Sequence, residues 1–285
     1  VTLTFAAFPE LASEGRRLVE ALHGHGVAAT HQPWGAKANG SSVLHRLRDE
    51  EVDAALVRAE GMLDIPDDLR LAAVLPREEP RDILIPAREG AATLHALASG
   101  SRVGVGGGRR RGFLKAYRQD VQAVAPGNGG GPAVALQSGA VDAVILGMAE
   151  ARRLSLASRA TEIMDPKAWV PGAGQGTVLV LARGDDTRVH RLCADVDHPT
   201  TRAAYRAEST TIAAQGAAPD APIGVMALPH GRWIRVWGMA ASEDGSRVVR
   251  GDVTGTSDDP EGAGRALAEL MVARGVATIL RGVPA

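Results

Sequence analysis

The chain has 285 residues, 45% of them apolar and 3% aromatic, so it is long enough for two or three domains whose cores are built from Ala, Val and Leu. Thirty-two basic and 33 acidic side chains give a net charge of -1, which leaves no global field to draw the protein onto nucleic acid or a membrane surface. The single cysteine, Cys193, excludes an internal disulfide. No apolar run approaches the ~20 residues of a membrane helix, and the first thirty residues carry no signal-peptide pattern, so the expected location is cytoplasmic.

In chain order, residues 2–7 read as a short buried strand. Residues 10–23 read as a helix with Leu11, Leu18, Val19 and Leu22 on one face, stopped by Gly24 and Gly26. A strand at 27–31 follows, then a helix capped by Ser41 or Ser42 that carries Val43, Leu44 and Leu47. Asp-Ala-Ala-Leu-Val at 53–57 is a continuous apolar strand of the doubly covered kind. Strand alternating with helix predicts an open α/β sheet. The grammar then repeats: strands at 71–75 and 82–86, a helix at 92–98, a strand at 102–105, a helix at 111–117, a strand at 121–125, a Gly/Pro loop at 126–132, a helix at 133–137 and a strand at 142–146. Asp53 and Asp142 head apolar strands that look equivalent. Residues 177–182 form a further strand, with helices at 187–196 and 200–214. From 223 the pattern becomes an antiparallel meander, 223–228, 233–240 and 247–253, turning at His230-Gly231 and Asp244-Gly245, before a helix at 260–273 opened by Pro260.

The stretch at 103–114, Val-Gly-Val-Gly-Gly-Gly-Arg-Arg-Arg-Gly-Phe-Leu, joins a strand to a helix through bare backbone. Glycines let main-chain N–H groups approach a ligand, a helix start is partly positive, and arginine forks match carboxylate or phosphate oxygens in pairs. No Gly-Lys-Ser/Thr follows, so this is not a Walker loop, and Arg109 stands where a dinucleotide fingerprint needs its third glycine. The expected ligand is a small anion, held by Arg109 and Arg110 with support from Gly106, Gly107 and Gly108.

Short motifs then line up. Arg-Glu-Glu-Pro-Arg-Asp at 77–82, Val103-Gly104 followed by Arg109-Arg110, Gly127-Asn128, Asp-Ala-Val-Ile-Leu-Gly at 142–147, Arg153-Leu154, Pro-Gly-Ala-Gly-Gln-Gly at 171–176 and Pro-Ile-Gly at 222–224 occur in this order. Together they resemble the hydroxymethylbilane synthase (porphobilinogen deaminase) family over nearly the whole chain. The resemblance implies two periplasmic-binding-protein-like α/β domains around a cleft and a small C-terminal α+β domain, with boundaries at 1–78 plus 172–197, 79–171 and 198–285. It also implies a final helix and strand over 264–280, and a monomer. In that family a cysteine of the third domain holds a dipyrromethane cofactor by thioether, an aspartate handles the pyrrole protons, and arginines hold the carboxylate side chains.

The departures fall on those groups. Pro219 stands at the cofactor cysteine, and Gly61 at the catalytic aspartate, leaving Glu60 and Asp64 as the nearby carboxylates that could take over proton transfer. Family arginines are replaced by Pro126, Pro132 and Ser209. Arg58, Gly127, Asn128 and Gln175 complete the expected ligand-binding set. His190, Cys193 and His198 lack a fourth ligand, so no metal is expected. Trp233 and Trp237 share a strand face and are expected in a core.

The expectation is therefore a diverged hydroxymethylbilane synthase-like protein that binds or transforms a small carboxylate-bearing ligand in specialised metabolism, with no dipyrromethane, no nucleic acid and no membrane. A porphobilinogen deaminase with a non-covalent cofactor and a non-catalytic regulatory subunit are the alternatives. If the protein is an enzyme, it is of the transferase or deaminase kind.

Overall fold

The computed structural model describes residues 2–33, 40–88, 93–125, 131–218 and 220–280. The described residues form a mixed α/β structure with two five-stranded sheets and one three-stranded antiparallel sheet. The chain divides into two compact units, Val1–Glu78 with Gly176–Tyr205, and Glu79–Gln175 with Arg206–Ala285.

The first unit holds β1 (Leu3–Ala7), β2 (Ala29–Pro33), β3 (Ala54–Arg58), β4 (Leu69–Val74) and β10 (Val178–Arg183) in the order β2-β1-β3-β10-β4. Strands β2, β1 and β3 run parallel, whereas β10 is antiparallel to both its neighbours. Alternation along the strands sorts side chains between two covered faces. Leu3, Phe5, Val178 and Val180 meet Leu18 and Leu22 of α1 (Ala12–Gly24) and Val189 of α6 (Thr187–Cys193). Ala6, Leu179 and Leu181 meet Val43, Leu44 and Leu47 of α2 (Gly40–Arg48).

The second unit repeats the plan with β5 (Asp82–Pro86), β6 (Arg102–Val105), β7 (Gln122–Val124), β8 (Ala143–Gly147) and β9 (Glu162–Ile163), ordered β7-β6-β8-β5-β9. The equivalence of Asp53 and Asp142 holds down to single hydrogen bonds. Each carboxylate accepts from the backbone N–H of the adjacent parallel strand, Thr4 N to Asp53 Oδ2 at 2.7 Å and Arg102 N to Asp142 Oδ2 at 2.7 Å.

The meander forms β11 (Ile223–His230), β12 (Trp233–Ala241) and β13 (Val248–Thr256), covered by α8 (Pro260–Ala273). Gly238 and Gly251 let α8 lie close: a Cβ at these positions would come within 2.4 Å of Met271 Sδ and 2.7 Å of Leu267 Cδ1 respectively. Asp259 caps α8 through Gly262 N–H at 2.9 Å. Among the described residues no helix is long and apolar enough to cross a membrane.

Four local expectations change. Residues 93–98 carry only a 3-10 turn, Leu94–Ala96, in place of a helix, with Thr93 as its cap. Residues 276–280 are α9 (Val276–Leu280), not a strand: Gly275 turns the chain at φ 85° and Val276 and Ile279 are buried three apart, a helical spacing that five apolar residues do not reveal by periodicity. Helix α3 (Gly107–Tyr117) begins four residues before 111 because its cap comes from a distant carboxylate, described below. Trp233 is 47% exposed, with Arg232 over its ring at 4.6 Å, while Trp237 is part-buried against the core.

Gly245 in the β12–β13 turn adopts φ +73° and sits against α3, where an added Cβ would lie 2.2 Å from the Lys115 carbonyl carbon. Gly245→Ala therefore combines left-handed strain of about 1–2 kcal/mol with a backbone clash. It should lower the urea midpoint by more than the strain alone accounts for, measured by circular dichroism.

Candidate functional site

The arginine-rich helix start is folded around a carboxylate supplied by the chain itself. Asp82, the first residue of β5, is fully buried at the foot of α3. Its Oδ2 accepts from Arg109 Nη1 at 2.8 Å and Trp169 Nε1 at 2.8 Å. Its Oδ1 accepts from Arg110 Nε at 3.1 Å, Arg110 Nη2 at 3.0 Å and Gln175 Nε2 at 2.8 Å. Burial pushes the Asp82 carboxyl up, but the charges and hydrogen bonds of Arg109 and Arg110 outweigh it and hold the group well below the ordinary carboxylate range.

Each partner is itself positioned. Trp169 stacks on Tyr117 at 5.9 Å between ring centroids and meets Phe113 edge-on at 5.7 Å, both on α3. Gln175 accepts from Arg109 Nη2 at 2.9 Å and donates to Pro80 O at 2.7 Å. Gly174 and Gly176, both at positive φ, turn the chain on either side of it. Glu208 on α7 (Pro199–Gln215) accepts from Gly174 N at 2.7 Å and Ala227 N at 2.7 Å, tying this turn to β11.

The glycine stretch also meets an internal carboxylate. Gly106 is the N-cap residue of α3 with φ -96° and ψ 146°, and Gly107 follows at φ 76°. Gly108 N–H donates to Asp220 Oδ1 at 2.7 Å, and Arg111 Nη2 meets Asp220 Oδ2 at 3.2 Å. An added Cβ on Gly108 would lie 2.2 Å from the Asp220 carbonyl oxygen, so only glycine admits this approach. The structure thus brings Gly106, Gly107, Gly108, Arg109, Arg110 and Gln175 together in the second unit.

The remaining candidates lie elsewhere. Arg58 ends β3 in the first unit, exposed and 3.7 Å from Glu10. Glu60 and Asp64 are exposed in the segment after β3, where Gly61 closes a 3-10 turn. Gly127, Asn128, Pro126 and Pro219 lie outside the described residues. His190 bonds Arg183 O and His198 bonds Thr201, so these histidines serve separate local contacts. Among the described residues no group of three or more His, Cys, Asp or Glu is placed to hold a metal ion.

Asp82, Trp169 and Asp220 were not singled out from the sequence. Asp82 stood in the Arg-Glu-Glu-Pro-Arg-Asp motif, where an acid heading the apolar run Ile-Leu-Ile was the available signal. Removing its charge leaves two largely buried guanidinium groups without their shared partner, a change of about 3–5 kcal/mol. Asp82→Asn should therefore lose most of that stability by urea unfolding while Asp53→Asn, at a part-exposed position, loses less.

A scan of family models matches residues 40–191 to "Porphobilinogen deaminase, dipyromethane cofactor binding domain". The chain is 37% identical over 238 residues to porphobilinogen deaminase of Roseiflexus castenholzii (strain DSM 13941 / HLO8), covering 83% of this chain and 78% of that protein. It is 34% identical over 242 residues to porphobilinogen deaminase of Xanthomonas oryzae pv. oryzae (strain PXO99A), covering 81% and 79%. Among solved structures, the methionine-binding protein MetQ superposes with a TM-score of 0.49 at 12% identity, covering 75% of this chain and 94% of that one. The matched domain contains Asp82, Arg109, Arg110 and Gln175 and is named for a dipyrromethane cofactor, which overturns the expectation that no such cofactor goes with this chain. A thioether tether does not fit: the one cysteine, Cys193, is fully buried among Leu3, Leu22 and Val189, and burial pushes its thiol up to about 12. By sequence the chain belongs to the porphobilinogen deaminase family.

Proposed function

We propose that this family member binds a small carboxylate-bearing ligand, carboxylated pyrroles included, at the N-terminal end of α3 and holds it without a covalent bond to the protein. The observation that carries the reading is the burial of the only thiol. A thioether needs an accessible thiolate, and Cys193 is neither accessible nor readily ionised. The donor chemistry supports the ligand class: backbone N–H groups at a helix start and guanidinium forks bind carboxylates, and here they already bind two from the chain itself. With Gly61 at the family's aspartate position, the proton handling that the family assigns to that side chain has no carboxylate there.

The second reading, porphobilinogen deaminase activity with a dipyrromethane held non-covalently, is favoured by the matched cofactor-binding domain. The two readings share the untethered ligand and differ in turnover.

Intact-mass measurement of the full chain purified from its own host, under denaturing conditions, should return the bare polypeptide. Incubation with porphobilinogen should release no ammonia. A covalent increment on Cys193 would overturn the untethered reading, while ammonia release from a chain of bare mass would establish the second reading.

A further inference from the structure

Helix α1 lies against β2, the edge strand of the first sheet, and two histidines sit in that contact under different conditions. His23, on α1, has its Nε2 3.1 Å from Ala29 O and 3.2 Å from Ala29 N, so the ring keeps a backbone partner whether or not that nitrogen carries a proton. His31, on β2 beside Phe5 of β1, has no such provision. Its ring rests on the bare backbone of Gly15: a Cβ there would lie 2.4 Å from His31 Cδ2, 2.6 Å from Nε2 and 2.9 Å from Cγ. The Nε2 atom is sealed from solvent and, among the described residues, has no hydrogen-bond partner.

A neutral imidazole tolerates that seat by carrying its proton on Nδ1, which leaves only a lone pair against Gly15. A cationic one does not, because both ring nitrogens then carry hydrogens and a charged donor is buried with nothing to accept it. The surrounding charges do not compensate. Arg16, next to Gly15 on α1, opposes a second positive charge. Glu14, the buried acid on the same turn, accepts from Ser13 Oγ at 2.7 Å and lies 3.6 Å from Arg17. β1 presents the apolar Phe5 beside the ring, and on β2 itself Gln32 accepts from Arg46 of α2. Burial first, and the Arg16 charge second, hold the His31 ring below the ordinary histidine range. The folded state thus binds this proton less well than the unfolded chain does. The stability of the contact is complete above the ordinary histidine range and is lost as the pH falls through the lower, folded value.

We infer that His31 is an acid-sensitive latch: neutral, it seats α1 on the edge strand β2, and protonated, it leaves the Gly15 surface and frees β2 from α1. The second unit has no counterpart among its described residues, where His95 and His230 are both exposed. Acid therefore loosens one edge of the first sheet while the second five-stranded sheet stays closed.

Hydrogen–deuterium exchange of the full chain at about pH 7.5 and about pH 5.5, corrected for the pH dependence of intrinsic exchange, compares wild type with His31→Phe and His31→Gln. In wild type, protection of peptides covering α1 and β2 should fall by about threefold or more on acidification, relative to peptides of β5 and β8. His31→Phe keeps a ring on Gly15 without a titratable nitrogen, and His31→Gln gives a smaller neutral side chain should phenylalanine prevent folding; the folded variant should lose the pH dependence. If wild type keeps its protection, or the folded variant loses as much as wild type, the latch is refuted. Proton NMR titration of wild type supplies a reading free of substitutions: the His31 ring should titrate below a histidine in an unstructured peptide, and a midpoint at or above that of the peptide overturns the inference.

Discussion

The second unit is organised by a buried charge that cannot be left alone. A carboxylate removed from water is tolerated only when its oxygens are fully engaged, and Asp82 meets that condition through two arginines, an indole N–H and an amide N–H. The donors come from three separate parts of the chain: α3, which supplies both arginines, the segment after β9, and the Gly-Ala-Gly-Gln turn before β10. One side chain thereby fixes the register of α3 against β5, seats Trp169 between Phe113 and Tyr117, and orients Gln175 between two glycines at positive φ.

This arrangement changes how a basic cluster at a helix start is understood. Arg109 and Arg110 have the chemistry of anion holders, and they do hold an anion, contributed by β5. The backbone N–H of Gly108 likewise meets an acid from the chain. A single helix end thus carries two carboxylates of opposite character, one sealed in the interior and one facing solvent.

Much of the fold was legible because it is local. Alternation and apolar runs placed the strands at 82–86 and 102–105 as found, and the two Asp-headed strands announced their equivalence. What escaped was non-local. The start of α3 depends on Asp220, 112 residues away, and no window around Gly107 contains that cap. Asp82 could not be told from a solvated acid without knowing that Arg109, Arg110 and Trp169 reach it. Residues 276–280 are too few for helical and extended periods to diverge. Trp233 and Trp237 share a face as their spacing requires, but the sequence does not say which end of β12 runs out into solvent.

The order of strands in the first sheet carries a consequence for biosynthesis. β10 lies between β3 and β4, yet it is encoded after every strand of the second five-stranded sheet. On the ribosome, β1 to β4 emerge with their middle place vacant and wait for more than a hundred further residues, whereas β5 to β9 are all available to pair with one another. The amino-terminal sheet is therefore the last of the two large sheets to close, and a nascent chain halted before residue 178 exposes β3 and β4 as unpaired edges.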